Sequence, residues 1–261
     1  MASYQEDPEM DFVSAFGLFF GSLTANTLAS LSGGGSGLLQ FPLLIFLGLP
    51  FTVALATHKV ATVALGLGAA IKHTRAGTVT LKENLFVVFA GFTGVVIGAN
   101  GILSVPGRTA TVALGLLIIG LGIYSMTKKS FGQEANPVNR NKRGLLLGAV
   151  GLAAIGILNG SLTAGTGLFV TLFLVRWFGY DYKQAVALTL VSVGLFWNGT
   201  GAVTMYLAGA EIYWPWVPVL FAGSALGGYF GASLASRYSN NLIKRAFEVL
   251  TLLVGIKLLV G

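Results

Sequence analysis

The 261-residue chain contains no cysteine, which excludes a disulfide framework and any thiolate metal site. It has two histidines, His58 and His73, and they are not paired at a metal-binding spacing. Charged residues make up only 10% of the chain, against about 25% in soluble domains. No Asp or Glu occurs between Phe12 and Lys82, so the first third of the chain offers no carboxylate for acid–base chemistry or for holding a cation. A phosphate-loop lysine motif and a nucleophile elbow are also missing. These absences point away from an enzyme, and nothing in the sequence calls for a cofactor or a metal. The net charge of +7 is not a nucleic-acid signal either, because the basic residues sit in short loops between apolar segments, where they set membrane orientation.

What is present is apolar sequence, 54% of the chain, in runs too long for one soluble core. Five segments can be read in each half. They are 12–31, 38–48, 52–71, 85–104 and 110–127, then 144–162, 168–178, 185–207, 216–236 and 242–260. The second of each set has about 11 residues, too short to span a ~30 Å hydrocarbon core as a straight helix. If all ten cross and the N-terminus is outside, thirteen of the sixteen Lys and Arg fall on the cytoplasmic side. The expected organisation is an acidic tail over 1–11, a first membrane repeat over 12–127, a cytoplasmic linker over 128–143 and a second repeat over 144–261. Both termini are expected outside a cell membrane. The acidic tail lacks the basic start of a signal peptide.

The halves repeat each other. Gly35-Ser36-Gly37-Leu38 recurs as Gly165-Thr166-Gly167-Leu168, Phe89-Ala90-Gly91 as Phe221-Ala222-Gly223, and Gly122-Ile123 as Gly255-Ile256. The offset drifts from 130 to 133 residues. Five crossings is an odd number, so the two halves are expected to run in opposite senses. The fold class is therefore an all-α polytopic membrane bundle of two inverted repeats, with one short broken helix per half. That is the pattern of a secondary transporter with its site at the repeat interface.

Two features carry the chemistry. The first is the pair of glycine breaks, Ser32 to Gly37 (with Gly34, Gly35 and Ser36) and Thr163 to Gly167 (with Gly165 and Thr166). Glycine permits unwound backbone, which leaves N–H groups free at the start of the next helix. Those groups and the helix dipole attract anions, and the hydroxyls add donors. The competing role for the glycines is close helix packing. The second feature is Thr57-His58-Lys59 inside an apolar segment, where a lysine is costly, roughly 3 kcal/mol on insertion scales. The lysine either snorkels to the headgroups or presents a fixed charge to an anion cavity. The matching second-half residues, Thr189 onward, carry no charge. Other intramembrane polar residues, Asn26, Gln40, Asn100, Asn159 and Asn198, have interhelical hydrogen bonding as their default role; Asn159 joins the candidate site. Runs of spaced glycines (Gly91, Gly94, Gly98 and Gly223, Gly227, Gly231) read as helix packing.

The motif cluster Gly33-Gly34-Gly35-Ser36-Gly37, Pro42, Gly48-Leu49-Pro50 and Ala54 to Lys59 resembles the first half of the sulfite exporter (TauE/SafE) family, and the resemblance runs from about Phe12 to Gly261. It implies a membrane protein that moves small sulfur-containing anions such as sulfite, sulfonates or sulfoacetate. The chain departs from the family pattern at His58, where the family commonly has Asn, and at Thr163-Ala164 and Leu172, where a fuller glycine run and a proline are usual.

The expected function is alternating-access transport of a small anion, the substrate binding between the glycine breaks near Lys59. Its partners are that anion and the lipid bilayer. The alternatives are a non-transporting membrane scaffold or enzyme subunit, a carrier of another anion, or a cation carrier, which would want acidic residues at the site.

Overall fold

The computed structural model describes residues 12–32, 36–75, 80–127, 135–234 and 252–260. All secondary structure among them is helical. The elements in order are α1 (Phe12–Ser32), a 3₁₀ turn (Ser36–Leu38), α2 (Gln40–Phe46), α3 (Phe51–Arg75), α4 (Leu81–Ile102), α5 (Gly107–Thr127), α6 (Lys142–Ser161), α7 (Thr166–Phe178) and α8 (Tyr182–Thr189). A π-helical stretch (Leu190–Trp197) then joins α8 to α9 (Asn198–Leu207), and α10 (Val217–Leu234) follows. Residues 252–260 form α11. Six helices are long and apolar enough to cross a membrane. The short elements α2 and α7 follow the two breaks, as their length in the sequence required. Gly34 and Gly35, the acidic tail and much of the last apolar segment lie outside the described residues.

Local chemistry sets the helix ends. Thr80 caps α4 by accepting the Glu83 N–H, Asn141 caps α6 through the Gly144 N–H, and Asp181 caps α8 through the Gln184 N–H; each removes an orphan donor. Lipid solvates apolar side chains as well as a core does, so helix association relies on close packing and interhelical hydrogen bonds. The exposed Phe12, Leu81, Leu207 and Val260 are ordinary on such a surface.

Corresponding residues of the halves pack in corresponding registers. A Cβ at Gly94 of α4 would overlap the Ala153 carbonyl of α6, and a Cβ at Gly227 of α10 would sit 2.8 Å from the Leu23 carbonyl of α1. A Cβ at Gly21 would meet Leu43, and one at Gly151 would meet Phe173. Each half therefore lays its first helix against the fourth helix of the other. At the centre α3 crosses the π-helical stretch through Gly66 and Gly194, with backbone in contact with backbone. Carbonyl groups cannot rotate away as side chains can. Gly94→Ala and Gly227→Ala are thus each expected to cost about 1–3 kcal/mol of stability, despite the better helix propensity of alanine. A lowered Tm of the purified variants in detergent checks this, with Gly101→Ala, which meets open space, as the control.

Three loops meet on one face. Arg140 of the linker donates from Nη1 to the Tyr180 hydroxyl at 2.8 Å and stacks over the Tyr180 ring at 4.2 Å. Tyr180 in turn donates to Glu83 Oε1 at 2.8 Å. Burial, and then the hydrogen bond to Glu83, raise the Tyr180 phenol to about 12, so it stays a donor at physiological pH. The linker backbone is strapped to the end of α7 through Asn136 N–H to Gly179 O and Val138 N–H to Phe178 O. Trp177 Nε1 donates to the Gly144 carbonyl at 3.0 Å. The end of α7 therefore returns to the face where α6 begins. The break between them lies inside the bundle, where unwound backbone is tolerated only with protein or water around it.

Candidate functional site

The two breaks touch. A Cβ placed on Gly37 would lie 2.9 Å from Thr163 Cγ2 and 3.0 Å from the Thr163 carbonyl oxygen. Ser36, Gly37, Thr163, Thr166 and Gly167 line a shared internal cavity, together with His58, Asn159, Thr189 and Asn198 and an apolar wall of Leu65, Leu190, Val193 and Gly194. The room inside is about 20 Å³, enough for roughly one water, so in this conformation the site is closed around less than one small oxyanion.

The break before α7 is strained. Thr163 has φ 55° and Gly165 has φ 69°. Glycine takes that conformation freely, whereas for a β-branched threonine it is an outlier, and such strain tends to gather at ligand sites. Gly165 caps α7 without a side-chain hydrogen bond. The first-turn amides of α7, at Gly167 and its neighbours, therefore face the cavity end with the positive end of the helix dipole. The Thr166 hydroxyl donates to Thr163 O at 2.7 Å, which holds the turn. Across the cavity, the π-helical stretch supplies Leu190, Val193 and Gly194; π-bulges inside helices recur at functional sites.

A hydrogen-bonded web supports the wall. Asn159 Nδ2 donates to Thr166 Oγ1 at 3.0 Å and to Asn198 Oδ1 at 3.3 Å. Asn198 Nδ2 donates to Thr62 Oγ1 at 2.9 Å, and Thr62 donates to the His58 carbonyl at 2.8 Å. Lys59 is fully buried and does not snorkel. Its Nζ donates to the Asn159 carbonyl at 2.7 Å, with Asn159 Oδ1 at 3.5 Å. Lys59 itself does not line the cavity; it stands behind Asn159, against Gly201. Thr57, two residues before Lys59, faces elsewhere and accepts the Tyr213 N–H at 2.9 Å. Gly165 sits just behind the lining. Ser32 ends α1, and its side chain lies outside the described residues, as do Gly34 and Gly35.

His58 reaches the cavity from α3 and is fully buried. Its Nδ1 is 3.0 Å from Gln40 Oε1, while its Nε2 has no partner. In the second half Thr171 donates to Thr189, which also lines the cavity, at 3.0 Å. Gln40 and Asn198 carried only a default packing role in the sequence. No signal along the sequence marks Gln40, because its repeat counterpart is the apolar Val170. The apolar wall leaves no mark in the sequence.

Electrostatically the site is one-sided. The ion pair among the described residues is Arg140–Glu83, at the loop face. Among the described residues, no carboxylate lines the cavity or pairs with Lys59. A buried lysine with neutral partners and a ring of N–H and hydroxyl donors favour an anion over a cation, and no group of residues suited to hold a metal is found among the described residues.

Comparison with known proteins agrees with this architecture. The family model described as "Sulfite exporter TauE/SafE" matches residues 18–258. A "Probable membrane transporter protein" of Haemophilus influenzae is 27% identical over 92% of each chain. "Probable membrane transporter protein YfcA" of Escherichia coli K12 is 26% identical over 93% of this chain and 88% of its own. YunE of Bacillus subtilis, similarly described, is 24% identical over 91% of this chain and 94% of its own. No solved structure matches the chain.

Proposed function

The chain belongs to the sulfite exporter TauE/SafE family of membrane transporters, and we propose that it moves a small sulfur-containing anion, with sulfite first among the sulfonate-like candidates, by alternating access. The observation that carries the anion reading is the meeting of the two breaks, Gly37 against Thr163, at a cavity with donors, a buried lysine behind it and no carboxylate among the described residues that line it. The reciprocal packing of first helix on fourth helix supports an inverted repeat, and rocking of one half against the other would open the closed cavity to each side in turn. Ser36, Thr166, Gly167, His58, Asn159 and Thr189 are the binding residues in this reading. Lys59 acts through Asn159.

The test is radiolabelled sulfite and methanesulfonate flux in proteoliposomes, against empty liposomes. Saturable flux of either anion is expected. Background flux of both, from protein shown to be folded, would leave a scaffold role in place of transport.

Orientation follows from the basic loops. The face where the linker, the start of α4 and the end of α7 meet is expected to be cytoplasmic, with both termini outside. The absence of cysteine makes Asn136→Cys a single labelling site, and Asn136 is exposed. It is expected to resist an impermeant thiol reagent in intact cells and to react in inverted vesicles. Labelling in intact cells reverses the assignment.

A further inference from the structure

We infer that His58 ties anion binding to the uptake of one proton, so that the anion and a proton cross together. The inference rests on the transport reading above and names its coupling ion.

The argument starts at Ser22. Its hydroxyl donates to the Leu220 carbonyl at 2.9 Å, so its oxygen is left to accept. Gln40 Nε2 stands 2.8 Å from that oxygen and 3.1 Å from Ser224 Oγ. The amide nitrogen of Gln40 therefore faces the serines, and its oxygen faces His58. An amide oxygen only accepts, so His58 Nδ1 carries the hydrogen of their 3.0 Å bond. In the neutral ring Nε2 is then a bare lone pair, and it is the Nε2 atom that is buried without a partner, on a residue that lines the cavity.

A lone pair cannot donate to an anion. For the site to close on an anion, one of two things happens: Nε2 gains a proton and donates to the anion, or the anion arrives as its acid and donates to Nε2. Either way the complex holds one proton more than the empty protein and the fully ionised anion. Proton and anion each supply the counter-charge or hydrogen bond that the other lacks in a dry site. By linkage, anion binding takes up a proton and tightens as pH falls.

Among the described residues, His58 is the titratable group that lines the cavity. Lys59, the adjacent residue, is held on the Asn159 carbonyl. On the elements packed against α3 or across the cavity, the titratable groups are Arg108 and Tyr124 on α5, Lys142 and Arg143 on α6, Arg176 on α7, Tyr182 and Lys183 on α8 with Asp181 at its cap, Tyr206 on α9 and Tyr229 on α10, with Glu211 and Tyr213 in the turn before α10. None of them lines the cavity. The other groups around His58, including Ser36, Gln40, Thr189 and Asn198, do not titrate. The polar chain Gln40–Ser22–Ser224–Asn26 fixes the ring through Nδ1 and leaves Nε2 as the exchanging atom.

The experiment measures the number of protons taken up per anion bound, by calorimetry of the purified protein in buffers of different ionisation enthalpy. The probes are sulfite and methanesulfonate. His58→Gln is the comparison, because its amide nitrogen offers a donor near the Nε2 position without titrating. The wild type is expected to take up one proton more per sulfite than His58→Gln, and its affinity is expected to rise relative to the variant by up to about tenfold for each unit of falling pH. Equal proton numbers in the two proteins would overturn the inference. If His58→Gln does not fold, methanesulfonate with the wild type alone decides: this anion brings no proton of its own, so uptake of one proton supports the coupling and uptake of none overturns it. If the folded wild type binds neither probe, it is the transport reading that fails, and this inference falls with it.

Discussion

Lys59→Met is expected to weaken sulfite binding by about thirtyfold or more, and sulfite flux with it. Losing a hydrogen bond made by a buried charged group costs roughly 1.5–3 kcal/mol, and about 1.4 kcal/mol is tenfold in affinity. Methionine fills nearly the same volume with a flexible apolar chain, so the packing against Gly201 survives. What is lost is the charge and the hydrogen bond to the Asn159 carbonyl. Asn159 would then be freer to turn from Thr166 and Asn198, so the loss combines a missing field with a loosened wall. Lys59→Arg keeps the charge, but Gly201 closes around the lysine stem, and a guanidinium needs a wider, planar site. It is expected to retain part of the binding. Calorimetric titration of sulfite into each purified variant measures this. Wild-type affinity in Lys59→Met would mean that His58 and the first turn of α7 hold the anion without the lysine.

The second large effect is expected at the meeting of the breaks. Gly37→Val places side-chain atoms where Thr163 already stands, 2.9–3.0 Å from the new Cβ. Thr163 cannot yield easily, because its φ of 55° is already unfavourable for a branched residue. Gly165→Val forces a branched residue to φ 69° and disturbs the first turn of α7. Each change is expected to raise the sulfite dissociation constant at least about tenfold, equivalent to ~1.4 kcal/mol. Gly17→Ala, which meets nothing within 4 Å, should leave binding unchanged. If the Gly37 and Gly165 variants lose only stability and the folded fraction binds sulfite as the wild type does, the breaks are packing devices and the anion sits elsewhere. An effect at Gly37 alone would assign the substrate to the first break.

The sequence by itself determined the solvent, the element list and the places where helices break. Hydrophobic runs, glycine clusters and short segments are local properties. For that reason the expected segments 12–31, 144–162 and 168–178 agree with α1, α6 and α7 to within about two residues, the usual scatter of helix ends. The two breaks could be matched to each other because repetition too is written along the chain. Tertiary structure decided which of the marked residues meet. His58 and Lys59 are adjacent in sequence, yet a helix turns about 100° between neighbours, so one enters the cavity while the other reaches behind it to Asn159. Thr57 turns away to Tyr213. Gln40 acquires its role only because α2 returns beside α3 and sets its amide between Ser22 and the imidazole. The meeting of Gly37 with Thr163 depends on two segments some 126 residues apart crossing at one depth. Packing against a partner helix selects the face that each helix presents, and that partner is not encoded within any window of the sequence.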